Sequence, residues 1–367
     1  MANTETGFEA RPIDEVKREL LERAQENRNP FLYTIFQEVL PVITGLRSVD
    51  REEWANAFGA LAAPHEERAA QAEAEGDSDT ARREYLIAYD CQHVARYPAP
   101  NSPGKLAAYR KSQEYFLKAA RYFDPPLERV EMPFAGRAGE GKIAVGLLRK
   151  PNGVAKPPVV VDAFKEERAS EPYLKAGLAP LAIDMPGVAD APLAGSENGE
   201  RLWDAVFDFI ASRSDLDSDR VGVHGGSTGG YWATKVAHTH EARLRAAVNQ
   251  GGPAHFAFQK DWIVNAQRGE YPFELAETLA CAFARSTAQE WVEYAPKLSL
   301  IDQRILDKPC APLLCVNGVN DSVFPIADMY LLLEYGNPKA ARFYPGGHMG
   351  GGDAQAVIVQ WLKEKLS

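Results

Sequence analysis

Val221-Gly222-Val223-His224-Gly225-Gly226-Ser227-Thr228-Gly229-Gly230 carries the most information in this chain. A short run with β-branched Val221 and Val223 gives way to G-x-S-x-G, then to a helical pattern through Trp232, Val236 and Ala237. A serine at a sharp strand-to-helix turn takes strained backbone angles, and only small neighbours leave it room. Gly225 and Gly229, with Gly226 and Gly230, supply that room. Such a turn holds the hydroxyl clear of the backbone, at the positive end of the following helix, where an oxyanion is stabilised. The plainer alternative is a glycine-rich loop that binds an anion or nothing.

A serine nucleophile needs a base, and the base needs an orienting carboxylate. On a strand–turn–helix scaffold of this kind both follow the serine, acid first and histidine second. Pro312 to Gly318 is an apolar run ending in glycine, and Val319-Asn320-Asp321 follows it. Asp321 therefore falls just past a strand, before a helix that Pro325 can open. Ala341 to Pro345 reads as the next strand, and Gly346-Gly347-His348-Met349-Gly350-Gly351-Gly352 as a flexible loop carrying His348. A helix from Asp353 to Leu366 closes the chain. Ser227, Asp321 and His348 thus stand in the required order, each after a predicted strand.

The competing residues fit other roles. His65 and His93 lie in a helical N-terminal region, and His238 and His240, near the end of the helix after the serine, are expected at the solvent. His224 reads as a packed strand residue, whereas His255 opens an inserted segment and is a candidate substrate contact. Asp184, ending an earlier strand, is expected to shape a loop, and Asp353 to cap the last helix. There is no metal-ligand spacing, P-loop or dinucleotide fingerprint, so neither metal nor cofactor is expected.

The formal net charge of -10 over 367 residues argues against a general nucleic-acid binder, which needs a basic face. Cys91, Cys281, Cys310 and Cys315 show no C-x-x-C spacing and read as reduced, mostly buried thiols. Met1 to Arg23 is polar, without the apolar stretch of a signal peptide, and no apolar run is long enough to span a membrane. A cytoplasmic protein acting on a small molecule is the default expectation.

Two regions read differently. From Ile13 to Arg121 the pattern is helical: Val16, Leu20 and Leu21 mark one stripe, and Phe31, Leu32, Ile35, Phe36 and Val39 a second, ended by Pro41. Gly76 to Asp79 reads as a helix–helix turn, and Asp124-Pro125-Pro126 as the boundary. Beyond it strands and helices alternate, which predicts an α/β fold with a mainly parallel, doubly wound sheet whose ligand site lies at the strands' C-terminal ends. Pro253 to Pro296 interrupts the alternation and is rich in large aromatics. It reads as a helical lid in which Phe256, Trp262, Tyr271, Phe273, Phe283 and Trp291 are candidates to line a pocket. The expected division is 1–127 helical, 128–252 first part of the core, 253–296 lid, and 297–367 second part.

These features resemble the α/β-hydrolase superfamily over Arg129 to Ser367. More narrowly they resemble the FrsA-like hydrolases with a helical N-terminal domain, a group that includes a bacterial dihydroxypseudooxynicotine hydrolase and fungal enzymes that shorten polyketide chains. The resemblance rests on the helical first third, Ile183-Asp184-Met185-Pro186-Gly187, Val221 to Gly230, Asn317 to Asp321, and Gly347-His348. It implies a Ser227–Asp321–His348 triad, a cavity enclosed by both helical regions, and a homodimer. Relatives carry a small glycine-rich turn after the strand that here ends at Val161, and its N–H helps form the oxyanion hole. This chain has Asp162-Ala163-Phe164-Lys165-Glu166-Glu167 instead, so Phe164 and Thr228 are the expected oxyanion donors, and Lys165 and Glu166 candidate substrate contacts. The resulting expectation is a serine hydrolase that cleaves an ester, or a C–C bond beside a ketone, in a small aromatic substrate. Acyl transfer or peptide cleavage on the same three residues, and a non-catalytic FrsA-like binding protein, are the alternatives.

Overall fold

The computed structural model describes residues 8, 11–162 and 167–367. It divides into two compact units, one of residues up to Leu127 with Pro272–Thr278, the other of Glu128–Tyr271 with Leu279–Ser367.

The first unit is helical. α1 (Ile13–Gln25), α2 (Phe36–Gly45), α3 (Arg51–Gly59), α4 (Ala62–Glu75), α5 (Ser78–Ala95) and α6 (Pro103–Ala120) follow one another. Local chemistry sets their ends. The side chains of Asp50, Asp77 and Ser102 accept from N–H groups in the first turns of α3, α5 and α6, and Gly76 ends α4 in the left-handed region. Leu20, Phe31, Ile43, Trp54 and Phe58 are fully buried, and the Trp54 indole donates to the Val94 carbonyl at 2.7 Å. Two expectations for α2 change. Its apolar run does not begin at Phe31, because Asp90 Oδ2 accepts from the N–H groups of Leu32, Tyr33 and Thr34 and holds them out of a helix. Nor does Pro41 end it: the helix continues to Gly45, with Val39 and Ile43 buried on one side, and that packing outweighs the missing N–H.

The second unit is built on an eight-stranded sheet of order β1-β2-β4-β3-β5-β6-β7-β8. The strands are β1 (Leu127–Pro133), β2 (Ile143–Arg149), β3 (Pro158–Asp162), β4 (Ala179–Ile183), β5 (Asp217–Gly226), β6 (Ala246–Gln250), β7 (Leu313–Gly318) and β8 (Ala340–Tyr344). β2 runs antiparallel to β4, and every pairing from β4 through β8 is parallel, with Val161 of β3 between Leu181 and Val223. β3, β4, β6 and β7 are buried at every residue, which is why they read as unbroken apolar runs. The chain leaves β3 for β4 on one side and returns to β5 on the other. This reversal is the point at which open α/β sheets bind ligands, beyond the C-terminal ends of the strands.

Helices α7 (Glu167–Lys175), α8 (Leu202–Ser212), α9 (Thr228–Thr239), α10 (Lys260–Ala266), α11 (Leu275–Ala282), α12 (Ala288–Tyr294), α13 (Ile326–Glu334) and α14 (Ala354–Lys365) complete the order. Ile358 and Leu362 of α14 share a core with Tyr173, Val160, Val248 and Val316. α9 is buried from Gly229 to His238. His238, and His240 just beyond the helix, are therefore not at the solvent as expected. His238 Nδ1 donates to the Lys308 carbonyl at 2.9 Å, and the His240 ring packs on Phe207 with Nε2 3.2 Å from Asp204. Asp353 precedes α14 but makes no side-chain cap; the last helix starts without one.

Burial lowers the His238 imidazole to about 4, against an ordinary value of 6.5. The folded protein thus holds it neutral while the unfolded chain protonates it, so its contribution is present above pH 6.5 and is lost as pH falls towards 4. Urea unfolding should show wild-type stability declining more steeply than that of His238→Gln across this window, by up to about 1.4 kcal/mol per pH unit. Parallel profiles would show that His238 does not titrate on unfolding.

Candidate active site

Ser227 links β5 directly to α9, with φ 55° and ψ -129°. A non-glycine residue holds such angles only when its surroundings over-determine them. Here the Ser227 N–H donates to the Gln250 carbonyl at 2.8 Å, and the Gly230 N–H donates to the Ser227 carbonyl at 2.8 Å. The turn is so tight that a Cβ on Gly225 would lie 2.0 Å from the Gly229 carbonyl oxygen. Thr228 is the first residue of α9, so its N–H is among those an α-helix leaves without an internal partner.

The structure brings three of the sequence-predicted residues together. Ser227 Oγ donates to His348 Nε2 at 2.9 Å, and His348 Nδ1 donates to Asp321 Oδ2 at 2.8 Å. An ionised carboxylate only accepts, so the neutral imidazole carries its proton on Nδ1 and turns the Nε2 lone pair to the serine. The Asp321 side chain is fully buried and further fixed: Oδ1 accepts from the N–H groups of Val323 and Phe324 at 2.8 and 2.9 Å, and Oδ2 from Asn317 Nδ2 at 2.8 Å. The Phe324 ring meets the imidazole edge to face, centroids 5.7 Å apart.

Two supporting side chains had no clear signal as such in the sequence. Asn317, the penultimate residue of β7, donates to Asp321 and accepts from the Met349 N–H at 3.0 Å, so one amide joins the acid to the histidine loop. Gln250, ending β6, receives the Ser227 N–H on its carbonyl, while its side chain donates to the Met349 carbonyl at 3.0 Å. Gln250 Oε1 also meets His224 Nε2 at 3.1 Å, and His224 Nδ1 lies 2.7 Å from the Tyr173 hydroxyl and 3.1 Å from Asp162. Burial, then the Asp162 carboxylate, holds the Tyr173 phenol well above its ordinary range, so it remains a donor. His224 is a packed strand residue, as read from the sequence.

The sequence matches the profile of the FrsA-like esterases over residues 34–366. The chain belongs to the FrsA-like esterase family. It is an α/β hydrolase. It is 23% identical to the esterase FrsA of Vibrio vulnificus over 85% of this chain and 76% of that protein. It is 30% identical to the α/β hydrolase ucsC of an Acremonium species over 58% of this chain, and the match spans only 49% of the fungal protein. In fold it is similar to a crystal structure of 2,6-dihydroxy-pseudo-oxynicotine hydrolase, with TM-score 0.75 and 21% identity over 95% of each chain.

The other candidate positions of this FrsA-like hydrolase are spread more widely. Phe164, Lys165 and Glu166 lie outside the described residues. Asp184 accepts from the Asp190 N–H at 3.3 Å and shapes its own loop, while Asp321 is the carboxylate at His348. Within the insertion, Asp328 of α13 accepts from the N–H groups of His255, Phe256 and Ala257 and seats its start; His255 Nδ1 lies 2.7 Å from Ser299 Oγ. Phe256 is 40% exposed, Tyr271 is half-buried, and the half-buried Trp262 donates to the Val323 carbonyl at 3.0 Å. Trp291 and Phe283 are packed instead as core: Phe283 stacks on Trp232 of α9 at 6.4 Å and lies 5.0 Å from Trp291. Phe273 is buried in the helical unit, its ring 4.8 Å from Trp54 and 5.7 Å from Tyr97. Aromatic content marked these three as pocket residues because periodicity does not separate a lining face from a packed one. Among the described residues, no cluster of His, Cys, Asp and Glu is arranged to hold a metal ion. No described helix is long and apolar enough to cross a membrane.

The backbone at Ser227 generates a prediction that needs no substrate. Ser227→Ala keeps the strained angles, whereas Ser227→Gly relaxes strain worth about 1–3 kcal/mol and forfeits somewhat less in unfolded-chain entropy. Ser227→Gly should therefore be more stable than Ser227→Ala by about 1 kcal/mol in urea unfolding. Equal stabilities, or a weaker glycine variant, would remove the strain argument.

Proposed function

We propose that Ser227, His348 and Asp321 form a nucleophilic triad that cleaves a small carboxylic ester, or a C–C bond beside a ketone, through an acyl-enzyme. The observation that carries this reading is the continuous line from Ser227 Oγ through His348 to Asp321 Oδ2, in bonds of 2.9 and 2.8 Å, at the positive end of α9. His348 takes the Ser227 proton as the oxygen attacks the substrate carbonyl. Asp321 keeps the imidazole in the required tautomer and stabilises the imidazolium. The Thr228 N–H receives the developing oxyanion, and Phe164 is proposed as the second donor. His348 next protonates the leaving group, then deprotonates the water that releases the acyl group. Esters are placed first because the Vibrio relatives are named esterases. In the C–C case the departing carbon must accept the proton from the same histidine. The partly exposed aromatic side chains of the insertion, Phe256, Trp262 and Tyr271, are the proposed contacts for an aromatic substrate, with His255.

A fluorophosphonate probe should label the wild-type protein at Ser227 and leave Ser227→Ala unlabelled. Hydrolysis of an aryl ester should fall on the order of 10⁴-fold or more in Ser227→Ala. Asp321→Asn should lose about 10³ to 10⁴ in kcat with little change in KM, while Asp184→Asn stays active. A fully active Ser227→Ala protein would overturn the proposal. Turnover of aryl ketones or β-diketones alone, in a screen that includes aryl esters, would restrict it to C–C cleavage.

A further inference from the structure

The loop that bears His348 is poorly suited to hold a catalytic base in place. It runs through Gly346 and Gly347 into Met349, Gly350, Gly351 and Gly352, the last four at φ of 66°, 88°, 75° and 59°. Glycine-rich backbone has the most conformational freedom to lose, so something outside the loop must fix it. Asn317 and Gln250 hold Met349 from the sheet. The insertion supplies a different kind of support. The His348 N–H lies 3.0 Å from both carboxylate oxygens of Glu270. Glu270 Oε1 also accepts from the N–H and hydroxyl of Ser322, at 3.2 and 3.1 Å, and the Glu270 N–H donates to Ser322 Oγ at 2.9 Å. Ser322 is the neighbour of Asp321, so one carboxylate reaches both the acid's loop and the base's loop.

We infer that Glu270 is a positioning residue of this active site, whose carboxylate sets the spacing between the Asp321 and His348 loops. The inference rests on the triad reading above. A carboxylate suits the task because every group that meets it in these bonds is a donor, two N–H groups and one O–H, and a charged acceptor makes each bond stronger. The seat is also close-fitting: a Cβ on Gly347 would lie 2.6 Å from Glu270 Oε2, and one on Gly269 would lie 2.7 Å from Ser322 Oγ. Loss of the carboxylate leaves the loop to the Asn317 and Gln250 amides at Met349 and to the Asn320 N–H, which donates to the Gly346 carbonyl at 3.0 Å, with the His348 N–H itself released from Glu270. Displacement of a catalytic group by about 1 Å costs on the order of 10²-fold.

The test uses the full chain, an acetyl aryl ester as substrate, and circular dichroism to verify folding. Glu270→Ala should lower kcat about 10²-fold with KM within about threefold of wild type, since substrate contacts are untouched. Glu270→Gln retains the shape and one acceptor oxygen but turns an NH₂ towards the His348 N–H, so it should recover much of the lost kcat without reaching wild type. Gly347→Ala, which pushes the carboxylate from its seat, should also lower kcat, and should add little in the Glu270→Ala background, because the two changes break one linkage. It keeps the test open if Glu270→Ala folds poorly. The inference is overturned if Glu270→Ala keeps kcat within about threefold of wild type, if only KM rises, if Glu270→Gln is no better than Glu270→Ala, or if the effects multiply. Fluorophosphonate labelling of wild-type Ser227 separates the two readings: without labelling the triad itself fails, whereas labelling with an active Glu270→Ala protein removes only the role of Glu270.

Discussion

The angles at Ser227 are the constraint on which the rest of the site depends. Ser227 is held at φ 55° and ψ -129°, away from the angles of both the strand before it and the helix after it. The conformation persists because β5 and β6 are parallel neighbours in the buried centre of the sheet, with Gly226 opposite Gln250. That register puts the Gln250 carbonyl where it captures the Ser227 N–H. A strand pairing formed by apolar burial thus fixes the backbone of a polar, strained residue, and the small residues around it are what the close approach allows.

The three chemical groups are held by different means. Ser227 is fixed by its own backbone, and Asp321 by backbone N–H groups that wrap its carboxylate within one turn. His348 has neither advantage and depends on side chains from elsewhere in the chain: Asn317 of β7, Gln250 of β6, and, through the insertion, Glu270. The least rigid element therefore receives the most distant support. β8, which leads into this loop, is the edge strand with its first three residues exposed, so the sheet itself restrains it from one side only.

The parts legible in the sequence were those whose signal is local. A turn of glycines between a strand and a helix, an acid and a histidine each just past an apolar run, and the alternation of buried strands with helices all show within short windows. The serine, acid and histidine are brought together in the order read from those windows. Less legible was whatever depended on partners far along the chain. Nothing near His238 announces that α9 is buried as far as that residue. The unwinding before α2 is imposed by Asp90, more than fifty residues away. Trp291, Phe283 and Phe273 carry the composition of a pocket, yet Trp232 and Trp54 claim them as core. Glu270 is one glutamate among many until its partners on two loops are known.

The packing of Phe273 bears on how the chain can be divided. Pro272–Thr278 belongs to the helical unit although both flanks, up to Tyr271 and from Leu279, belong to the sheet. The polypeptide therefore passes between the units three times rather than once, at Leu127, Tyr271 and Thr278. Within its own unit the short segment is anchored by Phe273 beside Trp54 and by Glu274, which accepts from Arg51 at 2.9 Å. A cut at Leu127 would give fragments that are covalently tidy but physically incomplete: the helical piece would lose a buried ring from its centre, and the sheet piece would carry that ring into water. The two units are separable as compact bodies and inseparable as sequence segments, so transplanting this helical unit takes the strip around Phe273 together with the N-terminal third.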